Sequence, residues 1–188
     1  MGIEAYFKGS KILGTIIGKR EEYLNLSRFS KGTSRAALNN VFKALLQSDT
    51  LASDGDIFVI DSVSYFVTAM RTSSTGTIMC QLQKTNATID IFRVSKHYTG
   101  STQDYLTEVE VSLAVPSFFE DITGRMIQYD AGLLKESTRR FLMPLLSQVK
   151  LSDRIRFNSE AMQIIAMNTS SYPGLLQVQT MVDSRVTR

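Results

Sequence analysis

DIFVIDSVSYFVTAMRTSS, residues 56–74, lies over DRIRFNSEAMQIIAMNTSS, residues 153–171, without a gap. Seven of the 19 positions are identical: Asp56/Asp153, Ser62/Ser159, Ala69/Ala166, Met70/Met167, Thr72/Thr169, Ser73/Ser170 and Ser74/Ser171. Ordinary residue usage gives about one such match. The chain therefore carries an internal duplication, which sets the domain count before any local reading. One inserted residue later the register resumes, with Gly76 on Gly174, Ile78 on Leu176, Cys80 on Val178 and Gln81 on Gln179.

Each copy of the block reads as a hairpin. Phe58 and Ile60, matched by Ile155 and Phe157, recur with period two and define the inward face of a strand. After a polar break at Asp61-Ser62 or Asn158-Ser159, a second strand turns Tyr65, Val67 and Ala69 inward, matched by Met162, Ile164 and Ala166. The tips RTSSTG and NTSSYPG place Gly76 and Gly174 where a turn needs positive φ, and TIMCQLQ and LLQVQT follow as strands.

Working outward, Gly2 to Tyr23 falls over Glu108 to Tyr129 at a shift of 106, pairing Glu4/Glu110, Ile16/Ile122, Gly18/Gly124, Lys19/Arg125 and Tyr23/Tyr129. TEVEVSLAV, residues 107–115, alternates strictly, with Val109, Val111, Leu113 and Val115 on one face and Glu108 and Glu110 on the other. The shift drops from 106 to 97 between the blocks, so the first copy holds about nine extra residues around 24–53. There Leu38, Val41, Phe42 and Leu45 follow helical spacing, with Thr33 or Ser34 as N-cap, which predicts one short helix over about 33–48. Its counterpart KESTRRFLMPLLSQV contains Pro144 and reads as extended chain or a short turn. The fold class is mainly β: two tandem small β-barrel or β-sandwich domains arising by duplication, residues 1–95 and 107–188, joined by a polar linker, 96–106.

The composition supports packed cores, with 43% hydrophobic residues in 188. One cysteine, Cys80, excludes an internal disulfide and a cysteine-rich zinc site, and points to a reducing compartment. The opening residues lack the long apolar region of a signal peptide. No run approaches the roughly 18 apolar residues of a membrane-spanning helix, so no membrane partner is expected. Lys and Arg total 21 against 18 Asp and Glu, and this +3 is spread along the chain, which tolerates DNA nearby without demanding it.

No constellation for catalysis stands out, so no enzyme activity, cofactor or metal is expected. His97 is the only histidine and sits in the presumed linker. Cys80 occupies an apolar strand position held by Val178 in the other copy, which reads as core packing. Glu108 with Glu110 reads as a solvated strand face, and Glu120 with Asp121 as a loop. The glycines at 9, 14 and 18 do not make a phosphate cradle. Candidate DNA-facing or interface residues are the basic Lys19, Arg20, Arg125, Arg139 and Arg140, and the loop-tip Arg71, Thr72, Asn168 and Thr169. Aromatics are not interleaved with these charges as on a stacking platform, which argues against sequence-specific nucleic-acid reading.

The segment from Leu133 to Arg185 resembles the C-terminal part of head-closure and head-tail connector proteins of tailed bacteriophages, which are small β-barrel ring proteins. The resemblance rests on an extended segment, Asp153 opening a strand, a polar turn at Ser159, the hydrophobic strand Met162 to Met167, Gly174, and Asp183-Ser184-Arg185 after the last strand. It implies a structural virion protein, assembled in the bacterial host cytoplasm. Such a protein forms a homo-oligomeric ring, a hexamer or dodecamer, at the neck or tail, with portal or adaptor and tail proteins as partners and non-specific contact with transiting DNA. Six two-barrel chains present twelve similar barrels, which matches a twelvefold portal to a sixfold tail. A tail-tube, tail-terminator or baseplate ring protein is the nearest alternative. A cytoplasmic ligand-binding module, with its site between the barrels, is the alternative from another class.

Overall fold

The computed structural model describes residues 11–28, 40–97, 105–146 and 148–185. In chain order the elements are β1 (Ile12–Ile16), β2 (Glu21–Arg28), β3 (Val41–Leu46), β4 (Ile57–Ile60), β5 (Val63–Thr72), β6 (Ile78–Lys84), β7 (Ala87–His97), β8 (Tyr105–Asp121), α1 (Gly124–Tyr129), β9 (Arg139–Pro144), β10 (Arg154–Phe157), β11 (Glu160–Asn168) and β12 (Leu175–Val182). They close into two antiparallel barrels, β1-β2-β3-β6-β5-β4 and β7-β8-β9-β12-β11-β10. Counted within each copy, both orders are 1-2-3-6-5-4, so the duplication read from residues 56–74 and 153–171 extends to the whole barrel.

The hairpin at the centre of the repeat is reproduced pair by pair. Phe58↔Tyr65 and Ile60↔Val63 in the first copy become Ile155↔Met162 and Phe157↔Glu160 in the second. The turn uses the same backbone: Asp61 and Ser62 have φ of 48° and 64°, Asn158 and Ser159 of 49° and 66°. Two consecutive positive φ values mark the two-residue turn whose twist matches that of the flanking strands, and Asp and Asn tolerate its first position. Gly76 (φ 79°) and Gly174 (φ 73°) take up the positive φ expected at the other tips.

A bulge is duplicated as well. The β5–β6 register slips between Val67 and Ala69, and the β11–β12 register slips between Ile164 and Ala166. The extra residue reverses the alternation, so Met70 and Met167 pack against the cores in place of the expected Ala69 and Ala166.

Each barrel shuts along a short seam. β1 and β4 share the pairs Thr15↔Val59 and Ile16↔Phe58, and β7 and β10 share Arg154↔Phe92, Ile155↔Ile91 and Arg156↔Asp90. An aspartate before the fourth strand clasps the seam. Asp56 accepts Lys19 Nζ at 2.6 Å and Ser53 N at 2.7 Å, while Asp153 accepts Arg93 Nε at 3.0 Å and Lys150 N at 2.8 Å. Lys19 and Arg93 also reach the carbonyls of Leu51 and Gln148, which correspond at the repeat shift of 97.

The cores are the inward faces of the barrels. Ile16, Leu24, Leu46, Phe58, Val67 and Leu82 fill the first, and Ile91, Phe141, Met143, Ile155, Ile164 and Val178 the second. Gly14 is a packing glycine: a Cβ there meets Leu24 Cδ2 at 2.8 Å and Phe58 Cδ1 at 3.2 Å.

Four expectations are corrected. The chain divides between Thr85 and Asn86, with Tyr172–Leu175 grouped with the first unit. Residues 96–106 are therefore no interdomain linker: Lys96↔Leu106 and His97↔Tyr105 continue the β7–β8 ladder inside the second barrel. The shift of 106 also fails, because the strand order sets β1 against β7 and β2 against β8; its residues 2–10 lie outside the described residues.

On β8 the register slips twice opposite Ile89–Phe92, and Ala114 (φ 52°) hydrogen-bonds its N–H to Asp90 Oδ1 at 2.9 Å. The slips break the alternation, leaving Val109 and Leu113 exposed and Glu108 shielded. Of the helix expected over 33–48, residues 41–46 are β3, whose pairing with both β2 and β6 overrides the helical spacing; 33–39 lie outside the described residues. The described helix, α1, lies in the second copy. KESTRRFLMPLLSQV is extended as expected, forming β9 up to Pro144.

Two measurements follow from this architecture. Residues 86–188 expressed alone fold cooperatively with a β-type circular dichroism spectrum, whereas 107–188, lacking β7, does not. Ser62→Gly and Ser159→Gly each raise the unfolding free energy by about 0.5–1 kcal/mol, because the left-handed cost of a side chain exceeds the entropic cost of glycine; additivity in the double variant is checked by urea denaturation.

Candidate functional site

The described residues of the second barrel concentrate charge around Arg154 on the outer face of β10. Its side chain is 3% exposed and that of Asp183, just past β12, is 0% exposed. Arg154 Nε donates to Asp183 Oδ2 at 2.8 Å, and its other nitrogens reach Glu108 on β8 and the Arg185 carbonyl. Asp183 also accepts Arg185 Nη2 at 2.6 Å and Arg185 N at 2.9 Å. Glu108 is shared with Arg156, whose guanidinium lies 4.7 Å from the centroid of Phe92. The network joins β8, β10 and the segment after β12.

Burial alone raises the Asp183 carboxyl, but hydrogen bonds from Arg185 and Arg154 outweigh it and hold the group well below its ordinary value. Glu108 is likewise raised by burial and lowered further by Arg154 and Arg156. Both carboxylates are engaged on more than one side by cations, an arrangement that holds β8, β10 and the segment after β12 together.

Beside this network a cleft of about 430 Å³ is lined by Asp121, Arg139, Glu160, Met162, Val182 and Asp183. Arg139 bridges its walls, donating Nε to Asp121 Oδ1 at 2.7 Å and Nη1 to Glu160, with its guanidinium 5.8 Å from the centroids of Phe119 and Phe157. A second cleft, of about 320 Å³, lies on the outer face of the first barrel and is lined by Lys43, Ala69, Arg71, Met79 and Gln81. No group of three or more potential metal-ligating side chains occurs among the described residues.

The expected surface residues separate into two kinds. Lys19 is bound to Asp56, Arg20 to Glu22 and Asp49, Arg139 to Asp121 and Glu160, and Arg140 to Glu120 and Asp130. Glu120 and Asp121 thus belong to the end of β8 and to ion pairs, not to a loop. Among the described residues Arg71 and Arg125 form no ion pair; Arg71 is the penultimate residue of β5, and Arg125 on α1 lies 5.8 Å from the Tyr129 ring centroid. Thr72, Asn168 and Thr169 are exposed, and Asn168 Oδ1 accepts Ser170 N at 2.8 Å, bracing its own tip.

Cys80 is 2% exposed in the first core, and burial pushes its thiol up to about 12. The side chain of His97 lies outside the described residues. Sequence reading missed the Arg154 network: Asp183 and Arg185 stand out as a pair, but their link to Glu108 passes through a bulged strand. Comparison with models of known protein families and with curated protein sequences finds no match to this chain.

Asp183→Asn removes one of the two carboxylates that hold buried Arg154, leaving Glu108, and costs about 3 kcal/mol of stability. A carboxyl depressed in the folded state stabilises the fold above its ordinary value, 3.8 for Asp183, and loses that contribution as the pH falls below it. Urea denaturation between about pH 5 and pH 2 therefore gives a steep loss for the natural protein and a flatter profile for the variant.

Proposed function

We propose that the chain is a non-catalytic, ring-forming structural subunit of the head-tail connector kind in a tailed-phage virion. The observation that carries this reading is the repetition of one closed barrel, 1-2-3-6-5-4, twice in a chain. A ring of such chains presents twice as many similar barrels as subunits, so a sixfold assembly offers twelve related surfaces to a neighbour of different symmetry.

Two further features support it. The outer faces of the described strands carry exposed apolar side chains, such as the cross-strand pair Leu13↔Tyr23 and, on β8, Val109 and Leu113, which an assembly subunit covers with its neighbours. Most candidate cations are neutralised by carboxylates of their own barrel. DNA passing through such a ring meets weak, sequence-independent contacts, with Arg71 and Arg125 the available partners among the candidates. A ligand-binding module needs a cleft with open, convergent polar groups, whereas in the cleft of the second barrel Arg139, Asp121 and Glu160 bond one another.

Native mass spectrometry of the full chain, with electron-microscopy class averages of any particle that contains it, tests the proposal. Six or twelve copies in a ring at a portal or tail are expected. A monomer at every concentration, absent from particles, overturns the reading.

A further inference from the structure

The two copies treat one face differently. In the second barrel the outer face of β9 and β12 is engaged by the connection between β8 and β9. Gln179 on β12 accepts Leu134 N and Ser137 Oγ, each at 2.8 Å, and donates Nε2 to the Gly132 carbonyl at 2.6 Å. Arg140 on β9 donates Nη1 to Asp130 Oδ2 at 3.4 Å. One side-chain amide thus holds a peptide N–H and a peptide C=O, while a neighbouring cation holds the acidic residue just before them.

The first barrel keeps the receiving half of this arrangement. Counting from the inward residues Ala44 and Leu46, matched by Phe141 and Met143, Lys43 stands where Arg140 does. Gln81 stands where Gln179 does. Lys43 and Gln81 are direct cross-strand partners, Ala69 flanks Gln81 from β5, and Arg71 pairs with Met79 one row away. Together they line the cleft of about 320 Å³. Lys43, Arg71 and Gln81 are exposed, and among the described residues their side chains make no hydrogen bond or ion pair.

We propose that this face of the first barrel docks an acidic loop segment of a partner protein. A carboxylate sits between the Lys43 ammonium and the Arg71 guanidinium, and one peptide group on each side of the residue three positions later bonds the Gln81 amide, as those flanking Leu133 bond Gln179. Charge complementarity fixes the sign of the partner: two open cations with no acidic side chain among the residues lining the cleft. The amide fixes its class, because Gln81 offers an acceptor as well as a donor. A peptide backbone satisfies both, whereas a phosphate backbone supplies only acceptors. The inference does not depend on the ring reading, since it concerns what covers this face in any assembly.

The test is a titration of the isotope-labelled full chain with a synthetic peptide, QYDAGLLKEST, the chain's own residues 128–138, followed by amide chemical shifts. Binding with a dissociation constant of about 1 mM, confined to β3, β5 and β6, is expected for a contact of this size. Lys43→Glu with Arg71→Glu weakens it about tenfold, as charge reversal at an interface does. Gln81→Ala weakens it as well, and so does Asp130→Lys in the peptide; unchanged thermal midpoints show that the variants fold. Absence of shifts on these strands, or shifts indifferent to the substitutions, overturns the proposal. So does a single-stranded oligonucleotide that perturbs the same residues at lower concentration than the peptide, which assigns the face to nucleic acid.

Discussion

Both barrels depend on an aspartate that stands at the entrance to the fourth strand. A closed sheet depends on the junction that shuts it, and here that junction is the meeting of first and fourth strands, short in both copies, with two registered pairs in one and three in the other. β3 and β6, by contrast, share six. Asp56 and Asp153 compensate by drawing a cation from the first strand or its turn onto the start of the fourth, while taking a backbone N–H from three residues upstream. The carboxylate is satisfied from both sides of the gap, and the strands that follow inherit a fixed register. The exchange of Lys19 for Arg93 changes the cation and preserves the geometry.

What the sequence revealed follows from how each feature is encoded. The hairpin at 56–74 and 153–171 is local: identical turn residues, inward Phe58 and Ile60 against Ile155 and Phe157, and glycines at the tips all lie within one contiguous block. The matching closure of β1 and β7 is not, because Thr15 and Asp90 share a position in the barrel without sharing chemistry. Residue identity alone therefore pairs the N-terminal strand with the end of β8, whereas the strand order pairs it with β7. The helix expected near Leu38 to Leu45 failed over 41–46 for a related reason. Val41, Phe42 and Leu45 suit either period, and the edges of β2 and β6 decide between them.

Bulges account for most of the remaining differences. Period-two reading assumes an unbroken ladder, yet β5 and β11 each contain a slip that moves every later side chain to the opposite face, and β8 contains two. Met70 and Met167 enter the cores for this reason. Glu108 stays on the outer face of β8, where buried Arg154 meets it, and the candidate cations could be located in sequence but not their carboxylate partners. Lys43, never singled out by motif, acquires meaning only beside Gln81 and Arg71 across three strands.

The closed strand order has a consequence for how such a chain meets its neighbours. An open sheet can recruit another molecule through its unpaired rim, by backbone hydrogen bonds that are nearly indifferent to sequence. A sheet that returns upon itself has no rim to offer. Recognition then falls to individual side chains and to the loops at the barrel ends, where every contact is specified by residue type. Two descendants of one ancestral barrel can accordingly diverge in whom they touch, one residue at a time, without disturbing the frame that carries them.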